Sequence, residues 1–169
     1  MQRERLSIPK ILLYILVALI LYVLQTSWFG TWSIRGYHLD LLPALVAAAA
    51  LLDGPVEGVI IGVVVGLFYD LGFIGIDGLY PIFFVLFGLV AGVISQLTLS
   101  GSYVSMLIMT SIEMIVLGLM RFFVYLLPQA GASFALVLQQ IIGGTVLTCV
   151  FSFAVYLPMH RISRTFAER

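Results

Sequence analysis

Four ionisable side chains interrupt long apolar stretches of this sequence: Asp40, Asp70, Glu113 and Arg121. A charged group among apolar helices is costly unless it pairs with another polar group, so such residues are candidates for functional sites. We expect Asp40 to cap the second helix, and Arg121 to extend toward the surface or to pair with Asp70 or Asp40. The alternative is that the same groups form an outer polar pocket or a docking face.

Glu113 differs from these because it lies near the middle of the fifth predicted helix, between methionine and isoleucine residues. A carboxylate there must be neutralised or find a partner on another helix. Arg121 lies about 12 Å away along the same helix axis and is therefore not that partner. A proton relay would need a second ionisable group at similar depth, and none is visible in the sequence. The remaining candidates are a partner protein and three glutamines: Gln96, Gln139 and Gln140.

Glycines recur every four residues on the third predicted helix, at Gly54, Gly58, Gly62 and Gly66. Such a row lets another helix backbone approach closely, which is typical of packed helix contacts in lipid. The neighbour could belong to this chain or to another chain, and we favour this chain because a helical bundle needs such contacts. The expected counterparts are Gly88 and Gly92 on the fourth helix and the alanines 47–50 on the second.

The composition argues against a soluble enzyme. Hydrophobic residues make up 62% of the 169 residues and charged residues 9%, which disfavours soluble, disordered and nucleic-acid-binding proteins. The single cysteine, Cys149, excludes an internal disulfide, and the histidines His38 and His160 lie far apart. No phosphate-binding loop, dinucleotide-binding motif, zinc-protease motif or nucleophile elbow occurs. We therefore expect no catalytic residues, metal or cofactor.

The uncharged stretches predict an all-α integral membrane protein, since about 20 helical residues are needed to cross the hydrocarbon core. Breaks at 100–102 and 128–133 divide the longest apolar stretches. Asp53 is expected to be the N-cap of the third helix, and Pro158 to end the last one. The chain is predicted to form one domain, 1–169, with helices at about 11–29, 39–52, 55–71, 79–98, 102–127 and 134–157.

Charge at the two ends of the chain predicts its topology. Residues 1–10 carry a net charge of +2, residues 161–169 carry +2, and the region between them carries −4. The positive-inside rule places both basic ends in the cytoplasm, which requires an even number of crossings. The segment 39–52 is short, about 21 Å as a helix, and could cross thinly or re-enter. Counting it, we predict six transmembrane helices with both termini cytoplasmic.

Sequence motifs carry a resemblance to a known family. The first helix ends in Gln-Thr-Ser at 25–27, and the second opens with Asp-Leu-Leu at 40–42. From Gly54 the chain reads G-P-x-x-G-x-x-x-G-x-x-x-G-L-x-x-D. These features resemble the MreD rod shape-determining family, most strongly over residues 25–92. One departure is Leu39, where the family usually has a proline before the aspartate.

The resemblance implies a non-enzymatic adaptor of the bacterial cell-elongation machinery, which inserts peptidoglycan into the side wall and maintains rod shape. The implied partners are the bitopic scaffold MreC, the MreB filament, and a RodA-type glycosyltransferase with its class B penicillin-binding transpeptidase. The implied location is the bacterial inner membrane, where the chain contacts the lipid bilayer and no nucleic acid. A groove beside the glycine-lined third helix is expected to receive the transmembrane helix of the scaffold.

The fold of this family resembles that of the substrate-binding subunits of energy-coupling factor vitamin transporters, and this sets the alternative function. Those subunits carry small residues spaced by four on their first helix to contact the coupling subunit. Over residues 11–22 of this chain, Ala18 is the only small residue. The sequence therefore favours the adaptor over the vitamin transporter.

Overall fold

A computed structural model of the chain describes residues 8–29, 39–72, 76–97, 102–126 and 134–167. These residues form helices and short connections without a strand, which confirms the all-helical prediction for this part of the chain. The predicted break at 128–133 and most of that at 100–102 lie outside the described residues. The helices are α1 Ile8–Leu24, α2 Leu42–Asp53, α3 Pro55–Gly72, α4 Leu79–Leu97, α5 Tyr103–Arg121, α6 Phe134–Phe151 and α7 Phe153–Ala167. Five-residue π-helical turns extend α1 to Phe29 and α5 to Leu126.

Four helical segments of the described chain are long and apolar enough to cross a membrane: 8–27, 79–97, 103–124 and 134–151. Their outer faces carry large apolar side chains, among them Leu12, Leu86 and Val104, each more than half exposed. Apolar surface of this extent requires lipid rather than water around it. These features are typical of a membrane protein.

Helix α2 lies at the centre of the bundle. Residues 44–50, which are alanine except for one leucine and one valine, are all completely buried. Pro43 lies in its first turn, and Gly54 ends it with a φ of 100° and an N–H that donates to the carbonyl of Ala50. Its twelve residues span only about 18 Å, against about 30 Å for a hydrocarbon core. The small side chains allow α1, α3, α4, α5 and α7 to pack around it.

The glycines in the middle of α3 are covered by the backbone of α4. A Cβ atom placed on Gly62 would lie 2.5 Å from the carbonyl oxygen of Phe84. One placed on Gly66 would lie 2.5 Å from the backbone nitrogen of Pro81. Distances this short exclude any side chain at either position unless the backbone moves.

The same close packing continues toward the start of α3. A Cβ atom on Gly88 would lie 2.6 Å from the carbonyl carbon of Gly58, and one on Gly92 would lie 2.5 Å from the nitrogen of Pro55. On its other side, a Cβ atom on Gly58 would lie 2.8 Å from the Cβ of Ala50 in α2. The glycine row is thus filled by α4 and α2 of the same chain. The expected groove for a partner helix at this row is already occupied.

The last predicted helix is divided at Ser152, whose hydroxyl donates a 2.7 Å hydrogen bond to the carbonyl of Cys149. Helix α7 then runs through Pro158 to Ala167, so Pro158 does not end the helix as predicted. A proline removes the hydrogen bond to the carbonyl four residues earlier. That carbonyl belongs to Ala154 in the first turn of α7, and the helix continues through this position to Ala167.

We expect Gly62→Ala to destabilise the protein by about 1–3 kcal/mol, because the new methyl group presses on the backbone of α4. Gly118→Ala is the matched control, since its methyl group would meet side-chain atoms of Ile141 rather than the backbone of another helix. Its expected loss is below about 1 kcal/mol. Thermal unfolding of the purified protein in detergent measures both, and equal losses would contradict the close approach of α3 and α4.

Candidate functional site

Asp40 lies in the non-helical residues immediately before α2 and is buried. Its carboxylate accepts a 2.8 Å hydrogen bond from Nε2 of Gln25 and lies 3.7 Å from the guanidinium of Arg121. Its backbone N–H donates to the Thr148 hydroxyl over 3.3 Å, and the N–H of Leu41 donates to Oε1 of Gln25 over 3.2 Å. The start of α2 is thereby joined to the ends of α1 and α5 and to α6.

The expectation that Asp40 caps α2 is wrong. The N-cap position is Leu41, which makes no side-chain hydrogen bond to the first turn. An N-cap side chain accepts a hydrogen bond from a backbone N–H in the first turn of its own helix. The carboxylate of Asp40 instead contacts groups on other helices. Arg121 was expected to extend toward the surface or to pair with Asp70 or Asp40. In the structure it forms the ion pair with Asp40.

Asp70 has a separate, local contact. Its carboxylate accepts a 2.6 Å hydrogen bond from the backbone N–H of Gly78. Gly78 adopts a φ of 86° in the turn before α4, a conformation that suits glycine. Asp70 therefore ties the end of α3 to the start of α4 and does not contribute to the ion pair of Arg121.

The guanidinium of Arg121 also lies close to two aromatic rings. Its Cζ atom is 5.2 Å from the ring centre of Tyr69 and 5.5 Å from that of Tyr80, within the range of a cation–π interaction. Tyr69 belongs to α3 and Tyr80 to α4, and their rings are 5.2 Å apart. We name this group the Asp40 cluster; its members are Gln25, Asp40, Tyr69, Tyr80, Arg121 and Thr148. It links α1, α3, α4, α5 and α6 to the start of α2.

A second polar group lies at the opposite end of α2, around Asp53. Its carboxylate accepts hydrogen bonds from the Tyr14 hydroxyl and, over 2.6 Å, from the Ser163 hydroxyl. The ammonium group of Lys10 lies 2.6 Å from the same carboxylate. Asp53 is the last residue of α2 and its oxygens face α1 and α7, so the expectation that it caps α3 is wrong. We name Lys10, Tyr14, Asp53 and Ser163 the Asp53 cluster.

Glu113 is completely buried in α5, and neither of its carboxylate oxygens has a hydrogen-bond partner among the described residues. The hydroxyl of Thr110, one turn earlier, is also buried and has no hydrogen-bond partner in the part of the chain that the structure describes. The three glutamines expected as partners, Gln96, Gln139 and Gln140, are all exposed. A carboxyl group without a donor or counter-ion is accommodated in lipid at lowest cost in its neutral form.

The described residues therefore contain two polar clusters that hold helices together. No group of three or more histidine, cysteine, aspartate or glutamate side chains that could hold a metal is found in the part of the chain described. Several cluster members escaped the sequence analysis, namely Lys10, Tyr14, Tyr69, Tyr80 and Ser163. The available signal was a hydroxyl or ammonium group within an otherwise apolar helix, which in lipid needs a partner.

The chain matches no protein-family model, no curated protein and no solved structure. The fold and the two clusters are those of an α-helical membrane protein whose charged side chains join helices to one another.

We expect Asp40→Asn to cost about 3–5 kcal/mol, because it removes the buried carboxylate that forms the ion pair with Arg121. Asp70→Asn is the matched control and is expected to cost only about 1–2 kcal/mol, since its carboxylate meets a backbone N–H. The exchange Asp40→Arg with Arg121→Asp should recover part of the loss. Chemical unfolding in detergent micelles measures these differences. Equal effects of the two asparagine variants would count against the ion pair.

Glu113→Met is expected to leave the free energy of unfolding unchanged or to raise it by about 1–3 kcal/mol, because a buried group without partners is removed. Thr110→Val follows the same reasoning and serves as the companion variant. Both are measured by the unfolding assay used for Asp40. A loss of stability in Glu113→Met would reveal a partner for the carboxyl group.

Proposed function

We propose that the protein is an adaptor of the MreD type in the bacterial inner membrane, with six transmembrane helices and both basic ends in the cytoplasm. In this function it holds the MreC-type scaffold within the cell-elongation machinery that builds the peptidoglycan side wall. The MreB filament and a RodA-type glycosyltransferase with its class B transpeptidase are the further proposed partners.

The observation that carries the proposal is the packing of α3 on α4. The motif that resembles the MreD family consists mainly of Gly54, Gly58, Gly62, Gly66 and Asp70. In the fold, the three central glycines permit backbone contact with α4 or α2, and Asp70 binds the turn before α4. The motif is thus architectural, which supports a family defined by a shared bundle rather than by a shared catalytic site.

The two polar clusters support an adaptor in a second way. The carboxylates of Asp40 and Asp53 are engaged with groups on other helices rather than arranged around a space for a substrate. Such contacts stabilise one arrangement of short and long helices in lipid. An adaptor needs a stable surface of this kind for its partners.

The proposed site for the scaffold helix is the lipid-facing side of α6. A shallow groove there is lined mainly by apolar and small side chains and by Gln139: Ala135, Leu138, Gln139, Ile142, Gly143, Val146, Leu147 and Val150. Small residues allow a second helix to approach closely. The exposed amide of Gln140 lies beside this groove.

Co-purification with a tagged MreC-type scaffold tests this site. Gly143→Leu is expected to reduce recovery of the scaffold at least about tenfold, because a loss of helix packing of about 1.4 kcal/mol is tenfold in affinity. Val90→Leu, on the exposed face of α4, is the control and should leave recovery unchanged. Full recovery of the scaffold with folded Gly143→Leu protein would show that the interface does not lie on α6.

Native mass spectrometry of the purified chain separates the adaptor from the alternative, a substrate-binding subunit of an energy-coupling factor type vitamin transporter. The adaptor is expected to carry the scaffold and no vitamin-sized molecule. A stoichiometric small molecule that persists after detergent exchange would instead support the transporter subunit and contradict the adaptor.

A further inference from the structure

Helix α7 presents a continuous face away from the bundle. Phe153 and Leu157 are 54% and 40% exposed, and Arg161 and Arg164 are exposed further along the helix. At 3.6 residues per turn these four positions fall within an arc of about 80°. We name them the α7 face. It is apolar near the break at Ser152 and basic toward the end of the chain.

The opposite side of α7 fixes this orientation. Val155 and Met159 are completely buried against the bundle. The Ser163 hydroxyl donates to the carboxylate of Asp53 at the end of α2. Because these contacts define the rotation of α7, both arginines point away from the other helices.

The Asp53 cluster also sets the level of the arginines relative to the membrane. Asp53 binds Ser163 of α7 and Lys10 of α1, so the basic half of α7 lies beside the first turns of α1. The apolar segment 8–27 begins at this end of α1. Arg161 and Arg164 therefore lie near the edge of the hydrocarbon core, whereas Phe153 lies about 12 Å from Arg161 along the helix, on the side toward α6.

The charges of the α7 face are unneutralised in the part of the chain that the structure describes, where neither Arg161 nor Arg164 pairs with an acidic group. Exposed arginines beside the hydrocarbon edge, next to exposed phenylalanine and leucine, complement both parts of an anionic lipid. The guanidinium groups match the phosphate, and the apolar side chains match the acyl chains.

We propose that the α7 face binds anionic phospholipid at this end of the bundle, with Arg161 and Arg164 on the headgroup phosphate. The site is independent of the adaptor function, since it requires neither the scaffold nor the groove on α6. Each arginine near an anionic surface contributes about fivefold in affinity, so the pair accounts for about 25-fold.

The test uses the full chain in mixed micelles that contain equal amounts of phosphatidylglycerol and phosphatidylcholine, with bound lipid counted by native mass spectrometry. The unaltered protein should retain phosphatidylglycerol in preference to phosphatidylcholine. The double variant Arg161→Gln with Arg164→Gln should lose about 25-fold of this preference, and each single variant about fivefold. Arg161→Lys with Arg164→Lys is the matched control and should keep most of it, since the charges remain.

A cooperative unfolding transition in phosphatidylcholine micelles shows that a variant is folded. If the double variant does not fold, the single variants are used for the comparison. An excess of inorganic phosphate should leave the lipid bound, because phosphate has no acyl chain to pack on Leu157. An unchanged lipid preference in folded glutamine variants would overturn the site, as would displacement of the lipid by phosphate. If the glutamine variants lose a co-purified protein while their lipid preference is unchanged, the proposal is also overturned, and the α7 face is then a protein contact.

Discussion

The ion pair between Asp40 and Arg121 is the contact on which most of the bundle depends. In lipid neither charge can be left without a partner, so the helices that carry them must meet. Gln25 and two tyrosine rings complete the surroundings of the pair and bring in α1, α3 and α4. The start of α2 and helices α1, α3, α4 and α5 thus meet around one ion pair.

Close packing provides the second constraint. Helix α2 is short and has five alanines among its twelve residues. The glycines of α3 allow the α4 backbone to lie directly against α3. In lipid, where the hydrophobic effect does not drive helices together, such close van der Waals contact and buried hydrogen bonds take its place. The Asp40 and Asp53 clusters at the two ends of α2 hold this core from both sides.

The contrast between Glu113 and Asp40 shows how far sequence reasoning reaches. Both were identified as costly charges, yet only Asp40 has partners in the fold, and Glu113 remains without any among the described residues. Spacing along one helix excluded Arg121 as the partner of Glu113, but it could not say which side chains of other helices come near. The Asp53 cluster was missed for the same reason, since Ser163 lies 110 residues from Asp53 along the chain.

Composition and periodicity were sufficient to predict an all-helical membrane protein, because apolar length and glycine spacing are local properties of the chain. The glycine row also pointed to its neighbours, since the possible counterparts on α4 and α2 were visible as small residues. The partners of each charge, the break at Ser152 and the outward orientation of Arg161 depend on contacts between distant segments. Only the tertiary structure decided these, because several pairings satisfy the same charges equally well until the helices are packed.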